Sequence, residues 1–165
     1  MTALDSTHAI VRDLFIDSLL FLKVLPQRRP LAVVDIGAGA GIPGLPMRLA
    51  DPALTLCLVE SRRKRVSFLR TVCRELELVD VSVVEGRAEQ IVQEDPALNE
   101  VFDVAVSRAV GRIDRLSVVA LPYLRLGGAL IVSASPDGHR PSGVDLATVP
   151  APGTRGSRRF LIVKK

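Results

Sequence analysis

The stretch "LAVVDIGAGAGIPGLPMRLA", Leu31 to Ala50, decides how the rest of the chain is read. Leu31–Ile36 is almost wholly apolar, the pattern of a strand covered on both faces. Its one acid, Asp35, stands near the closing end, and Gly37, Gly39, Gly41 and Gly44 follow at once. Leu45–Ala50 then reads as a turn or two of helix. Strand, glycine turn and helix in that order make the ligand-holding corner of many open α/β sheets.

Two ligand frames share these glycines. Gly39, Gly41 and Gly44 satisfy G-x-G-x-x-G, and Glu60 lies about 20 residues on, where a dinucleotide's ribose-binding acid belongs. Asp35, Gly37, Gly39 and Gly41 satisfy D-x-G-x-G-x-G, a turn for S-adenosylmethionine (SAM). A third reading gives the glycines no ligand and only a tight turn. Spacing does not separate the three, but charge does. An acid at the end of a buried strand is costly unless cations or donors meet it. It repels a pyrophosphate and favours the ammonium and sulfonium of SAM. Pro43 also removes an N–H from the turn that would cradle phosphate. Glu60 can then accept both ribose hydroxyls of the adenosine, or cap the helix that follows it.

Outward from this corner, strands and helices alternate. Apolar positions Ile10, Val11, Leu14, Phe15, Leu19 and Leu22 predict a helix over about 6–24, closed by Pro26 and Pro30. "LTLCLVE" is a second buried strand, and 62–78 a helix with Val66, Leu69, Val72, Cys73 and Leu76 on one side. "VSVVEG" is a third strand, 88–92 a short helix, "VFDVAVSRA" a fourth strand and 113–124 a helix. "GGALIVSA" is a fifth strand; strand-like 144–149 and "RRFLIVKK" close the chain with no helix between them. The alternation predicts an α/β fold with helices on both faces of a sheet. We expect one domain over 1–165, with the Rossmann-like fold of class I SAM-dependent methyltransferases. Its sheet is expected to be mostly parallel and seven-stranded, with an antiparallel edge strand.

Bulk properties narrow the partners. A 48% hydrophobic and 24% charged chain is globular rather than disordered. Five phenylalanines, one tyrosine and no tryptophan argue against base stacking as the main mode of binding. The net charge of +4, with a pI near 9.6, suits a polyanionic partner or simply a soluble surface. Cys57 and Cys73 lack CxxC spacing and histidine neighbours, so both are expected reduced and no metal is expected. No apolar run approaches the ~18 residues of a membrane span, and no basic-then-apolar leader opens the chain. A cytoplasmic monomer without a membrane partner is expected. His8 and His139 are read as surface groups.

The segments "VDIGAGAGIPGLPMRLA", "LVESRRKRVSFL", "EGRAE", "FDVAVSRAV" and "LGGAL", in this order and spacing, resemble the GidB/RsmG family. The likeness runs from about Phe15 to Gly128, and "FIDSLLFL" is similar to part of that family's opening helix. The resemblance implies transfer of a methyl group from SAM to N7 of a guanine in 16S ribosomal RNA, within the small ribosomal subunit or its precursor. It also implies cofactor contacts at Gly37, Ile42, Ala88, Glu89 and Arg108, beside Asp35, Gly39 and Glu60. Arg108 is the candidate catalytic residue, orienting substrate or the cofactor carboxylate, since arginine stays protonated and is no base. Guanine N7 needs no deprotonation, so positioning carries the chemistry and no Ser-His-Asp set is required.

Three departures from the family bear on the substrate side. Ile42 replaces a usual phenylalanine, Leu14 a usual histidine, and "IVSASPDG" a usual Lys-Gly pair. The short segment ahead of the opening helix is a fourth. They keep open a non-catalytic SAM-binding member with a trimmed RNA-modifying face. An NAD(P)-dependent reductase rests only on the overlapping glycine frame. "RRKR", Arg62–Arg65, puts four cations where a helix begins, against its dipole by roughly a few tenths of a kcal/mol each. An RNA phosphate would use them; a solvated basic face would not need one.

Overall fold

A computed structural model describes residues 11–108, 113–134, 140–152 and 156–165. His8, His139 and the first part of the predicted opening helix, 6–10, lie outside the described residues. Seven strands are seen: β1 Leu31–Ile36, β2 Leu54–Glu60, β3 Val81–Glu85, β4 Phe102–Ser107, β5 Leu124–Ala134, β6 Asp145–Pro150 and β7 Ser157–Lys164. They form one sheet in the order β3-β2-β1-β4-β5-β7-β6. β1 to β5 run parallel; β7 is antiparallel to both β5 and β6.

The expected antiparallel edge strand needs correcting. β6 occupies the edge and runs with the parallel set, whereas the reversed strand is β7, one place in. The hairpin itself is as predicted, but it docks through its second strand. Burial gives the reason. β7 carries buried Phe160 and Leu161, whereas no residue of β6 is buried. The more apolar strand takes the covered position.

Alternation along each strand sends side chains to two cores. Leu31, Val33, Leu56, Leu58, Val104 and Val106 face one. Val34, Ile36, Cys57, Val59, Ala105 and Leu130 face the other. Helices α1 Gly44–Ala50 and α2 Arg63–Glu75 cover the first face through Leu45, Met47 and Leu69. Helices α3 Ala88–Glu94 and α4 Ile113–Ala120 cover the second through Ile91, Val92 and Ala120. The opening helical stretch joins the first face with Leu20 and Phe21, and Phe21 meets Phe160 edge-on at 4.8 Å. That stretch is a π turn, Val11–Ile16, then short α and 3-10 turns to Lys23, rather than one regular helix. The helix predicted over 113–124 stops at Ala120, and Pro122 sits in a 3-10 turn before β5. Cys57 is buried and Cys73 half-buried, both as free thiols.

Candidate functional site

β1 to β4 are parallel, so their carboxyl ends gather at one edge, and the loops there are stitched to one another. Gly37 and Ala38 both donate their N–H to the Val59 carbonyl, at 2.9 and 3.0 Å. The Gly86 N–H donates to the Glu60 carbonyl at 3.0 Å, and Ser107 Oγ to the Ile36 carbonyl at 3.0 Å. Asp35, Gly37, Gly39, Ile42, Glu60, Ala88, Glu89 and Arg108 all lie on or next to these ends.

The glycine turn uses most of its own donors. Gly41 and Ile42 donate to the Ala38 carbonyl, Gly39 to Glu60 Oε2 at 2.9 Å, and Gly44 to Asp35 Oδ2 at 2.9 Å. At the start of α1, Leu45 donates to Gly41 and Met47 to Pro43, while Pro46 has no N–H. A helix start normally leaves orphan donors that bind phosphate. Here the Asp35 carboxyl already takes that role.

Glycine packing points the same way. Gly41 has φ +83°, and a Cβ there would lie 2.3 Å from Leu45 Cδ1 and 3.1 Å from Leu69 Cδ2. A Cβ on Gly44 would lie 2.8 Å from Asp35 Oδ2 and 2.9 Å from Leu58 Cδ2. Gly37 differs: at φ +74° it is exposed, and a Cβ would meet nothing within 4 Å. In the dinucleotide frame Gly41 is the glycine that must let pyrophosphate approach. It faces the core instead. The open backbone belongs to Gly37, which only the D-x-G-x-G-x-G frame uses.

Charge at this edge is negative and poorly solvated. Asp35 is 1% exposed, and its Oδ1 has no hydrogen-bond partner among the described residues. Burial pushes its carboxyl up to about 7; the Gly44 N–H pulls it back, and the Glu60 charge raises it further. Glu60 is 5% exposed. Its Oε1 accepts from the Arg62 N–H at 2.8 Å, its Oε2 from Gly39, and the Arg65 guanidinium stands 3.6 Å away. The capping reading of Glu60 is therefore realised, and each carboxylate oxygen keeps acceptor capacity for a hydroxyl. Such an edge fits a ligand with positive charge and vicinal hydroxyls, and opposes a diphosphate.

The remaining candidates divide by burial. Ala88 is buried at the first turn of α3 and Glu89 beside it is exposed; Ile42 and Arg108 are half-buried, Arg108 directly after β4. Ala109 of the "SRA" segment lies outside the described residues. One contact escaped the sequence reading. Tyr123, fully buried, donates its hydroxyl to the Ala88 carbonyl at 2.7 Å and so ties the turn after β3 to the turn before β5. The available signal was that the chain's one tyrosine follows a proline between a helix and a strand. Among the described residues no group of three metal-ligating side chains gathers, and no helix is long and apolar enough to cross a membrane.

With this geometry in hand, similarity to known proteins can be placed. The sequence profile of the GidB family, described as rRNA small subunit methyltransferase G, matches residues 1–134 and so stops at the last residue of β5. Ribosomal RNA small subunit methyltransferase G of Alkaliphilus oremlandii is 39% identical over 136 residues, covering 82% of this chain and 56% of the relative. The protein of the same name from Leuconostoc citreum is 40% identical over 135 residues, 80% of this chain and 56% of its own length. The chain thus spans little more than half the length of these relatives. Among solved structures, a SAM-dependent methyltransferase from Aquifex aeolicus superposes with a TM-score of 0.65 at 12% identity, covering 96% of this chain and 94% of that one. That likeness is one of fold, and it extends through the closing hairpin that the family profile leaves out.

Proposed function

Because the chain belongs to the GidB family, rRNA small subunit methyltransferase G, we propose that it binds SAM at the carboxyl edge of its sheet and transfers a methyl group to N7 of a guanine in 16S ribosomal RNA. The observation that carries the cofactor half is the Asp35 carboxyl on the Gly44 N–H, which fills the position a phosphate would need. Bound SAM supplies an electrophilic methyl on a sulfonium. Asp35 and Glu60 give the edge the negative character that a sulfonium and an ammonium require. Glu60 accepts the ribose hydroxyls while its bonds to Gly39 and Arg62 hold the carboxylate still. Gly37 lets the ligand approach the backbone, Ile42 closes over it, and the Ala88–Glu89 turn flanks the base.

Arg108 is the proposed catalytic residue. Its permanent charge suits holding a carboxylate or the acceptor nucleotide in line, and does not suit proton removal. Positioning of this kind can supply up to about 7–11 kcal/mol of the barrier. The acceptor is the small ribosomal subunit or its RNA.

Two assays separate this reading from its rivals. SAM or its demethylated product is expected to raise the melting temperature and NAD(P) not, because a ligand that binds the native state stabilises it by mass action. Small subunits lacking the modification are expected to gain N7-methylguanine, read by borohydride-induced cleavage. Good SAM binding with no methylation would leave a non-catalytic SAM-binding protein. Glu60→Ala is expected to weaken SAM binding at least about tenfold, as loss of hydrogen bonds to a charged group does; unchanged affinity would remove the ribose assignment.

A further inference from the structure

The start of α2 carries charge that the fold does not use. Arg62, Arg63 and Lys64 are exposed and have no ion-pair partner among the described residues. Their neighbours are paired: Arg65 stands beside Glu60, Arg70 is 3.9 Å from Glu85, and Arg74 is 3.3 Å from Glu75. The three unpaired cations occupy the helix end where the dipole disfavours them, and no acid stands in the first turn to offset it.

An exposed aromatic completes the patch. Phe68 is 51% exposed on α2, one turn beyond Lys64 on the same side of the helix. It flanks Arg65, whose guanidinium also lies over Gly39. Cations and ring therefore adjoin the glycine turn and Glu60, at the edge where the proposed acceptor must arrive.

We propose that Arg62, Arg63, Lys64 and Phe68 form the docking face for a single-stranded RNA segment, its phosphates on the cations and one unstacked base on the Phe68 ring. The inference rests on the methyltransferase reading and adds where, and in what form, the nucleic acid lies. Charge complementarity selects a polyanion, and a lone ring among cations selects a polymer with both phosphates and flat bases. Single-stranded loops offer both, while a paired helix keeps its bases stacked inside. An apolar ridge, as a lipid surface requires, is absent from the described part of this face, where Phe68 stands between Lys64 and Thr71.

The test uses the full chain, an Arg63→Gln/Lys64→Gln variant and Phe68→Ala. All three side chains are exposed, so folding is not at stake, and affinity for S-adenosylhomocysteine is the control. Probes are an RNA hairpin with a single-stranded loop, a fully paired RNA duplex, and vesicles of phosphatidylglycerol and phosphatidylcholine. The double variant is expected to bind the hairpin more weakly and to flatten its log–log salt slope by about 1. Phe68→Ala is expected to lose about tenfold on the hairpin and little on the duplex. Both keep wild-type cofactor affinity. Unchanged hairpin affinity in both variants, equal losses on duplex and hairpin for Phe68→Ala, or a loss confined to vesicles would overturn the proposal. A wild-type chain that binds cofactor and methylates RNA while the variants bind RNA normally sinks the docking face alone. A wild-type chain that binds no RNA and transfers no methyl sinks both.

Discussion

The two halves of one glycine turn do opposite work. Gly41 and Gly44 are sealed, pressed against Leu45, Leu69, Leu58 and the Asp35 carboxyl, with no space for a further atom. Gly37, only four residues before Gly41, is exposed and opens onto space. The sealed half sets the path of the chain from β1 into α1; the open half offers backbone to a ligand. A glycine pattern in sequence does not say which glycines face the core, and that is why two cofactor frames could share one loop. Packing assigns them: the glycine a diphosphate needs is walled in.

The broadest test of the sealed half is pH. Asp35 carries a folded-state pKa of about 7 against 3.8 for the free side chain. Between those values the native state holds the proton and the unfolded chain does not, so stability falls as pH rises from about 4 to 7 and levels off above. The drop is on the order of a few kcal/mol. Asp35→Asn keeps an acceptor for the Gly44 N–H and does not titrate, so urea denaturation from pH 4 to 8 is expected to give a flatter profile. Parallel profiles would show that burial of Asp35 costs nothing.

Gly41→Ala comes next. A left-handed residue costs roughly 1–2 kcal/mol and overpacking about 1–3 kcal/mol, so a loss of about 3 kcal/mol is expected in urea. Gly37→Ala pays only the backbone cost, about 1 kcal/mol, but brings a methyl to the ligand side. Cofactor affinity is expected to fall more than tenfold there, while stability stays near wild type. Equal destabilisation by the two alanines would erase the distinction between the halves.

Much of this was readable from residues. The apolar runs located all seven strands, because a strand covered on both faces leaves little ambiguity. The site edge followed from parallel strands placing Asp35, Glu60 and Arg108 at one side. Strand order was not readable: no periodicity says that β7 inserts between β5 and β6. Pro122 ended a helix that its apolar stripe would have continued. The loop's closed side was invisible because it depends on Leu45 and Leu69 meeting Gly41 in space. Tyr123 was missed for the same reason, its partner being 35 residues away.

Tyr123 supplies the smallest expected effect. Tyr123→Phe keeps the buried ring and leaves the Ala88 carbonyl without its hydroxyl donor. A loss of about 1 kcal/mol in stability is expected. A modest rise in the dissociation constant for S-adenosylhomocysteine should exceed the rise for methionine, which has no base to reach the Ala88 turn. Equal effects on both ligands would make Tyr123 a packing residue only.

The central claim is that this edge receives a cationic nucleoside and refuses a diphosphate. Isothermal titration of the full chain with S-adenosylmethionine and, separately, with NAD and NADP tests it directly. The account predicts saturable binding of S-adenosylmethionine and no heat of binding with either dinucleotide. Saturable dinucleotide binding, weakened by Gly39→Ala and untouched by competing S-adenosylmethionine, would contradict it.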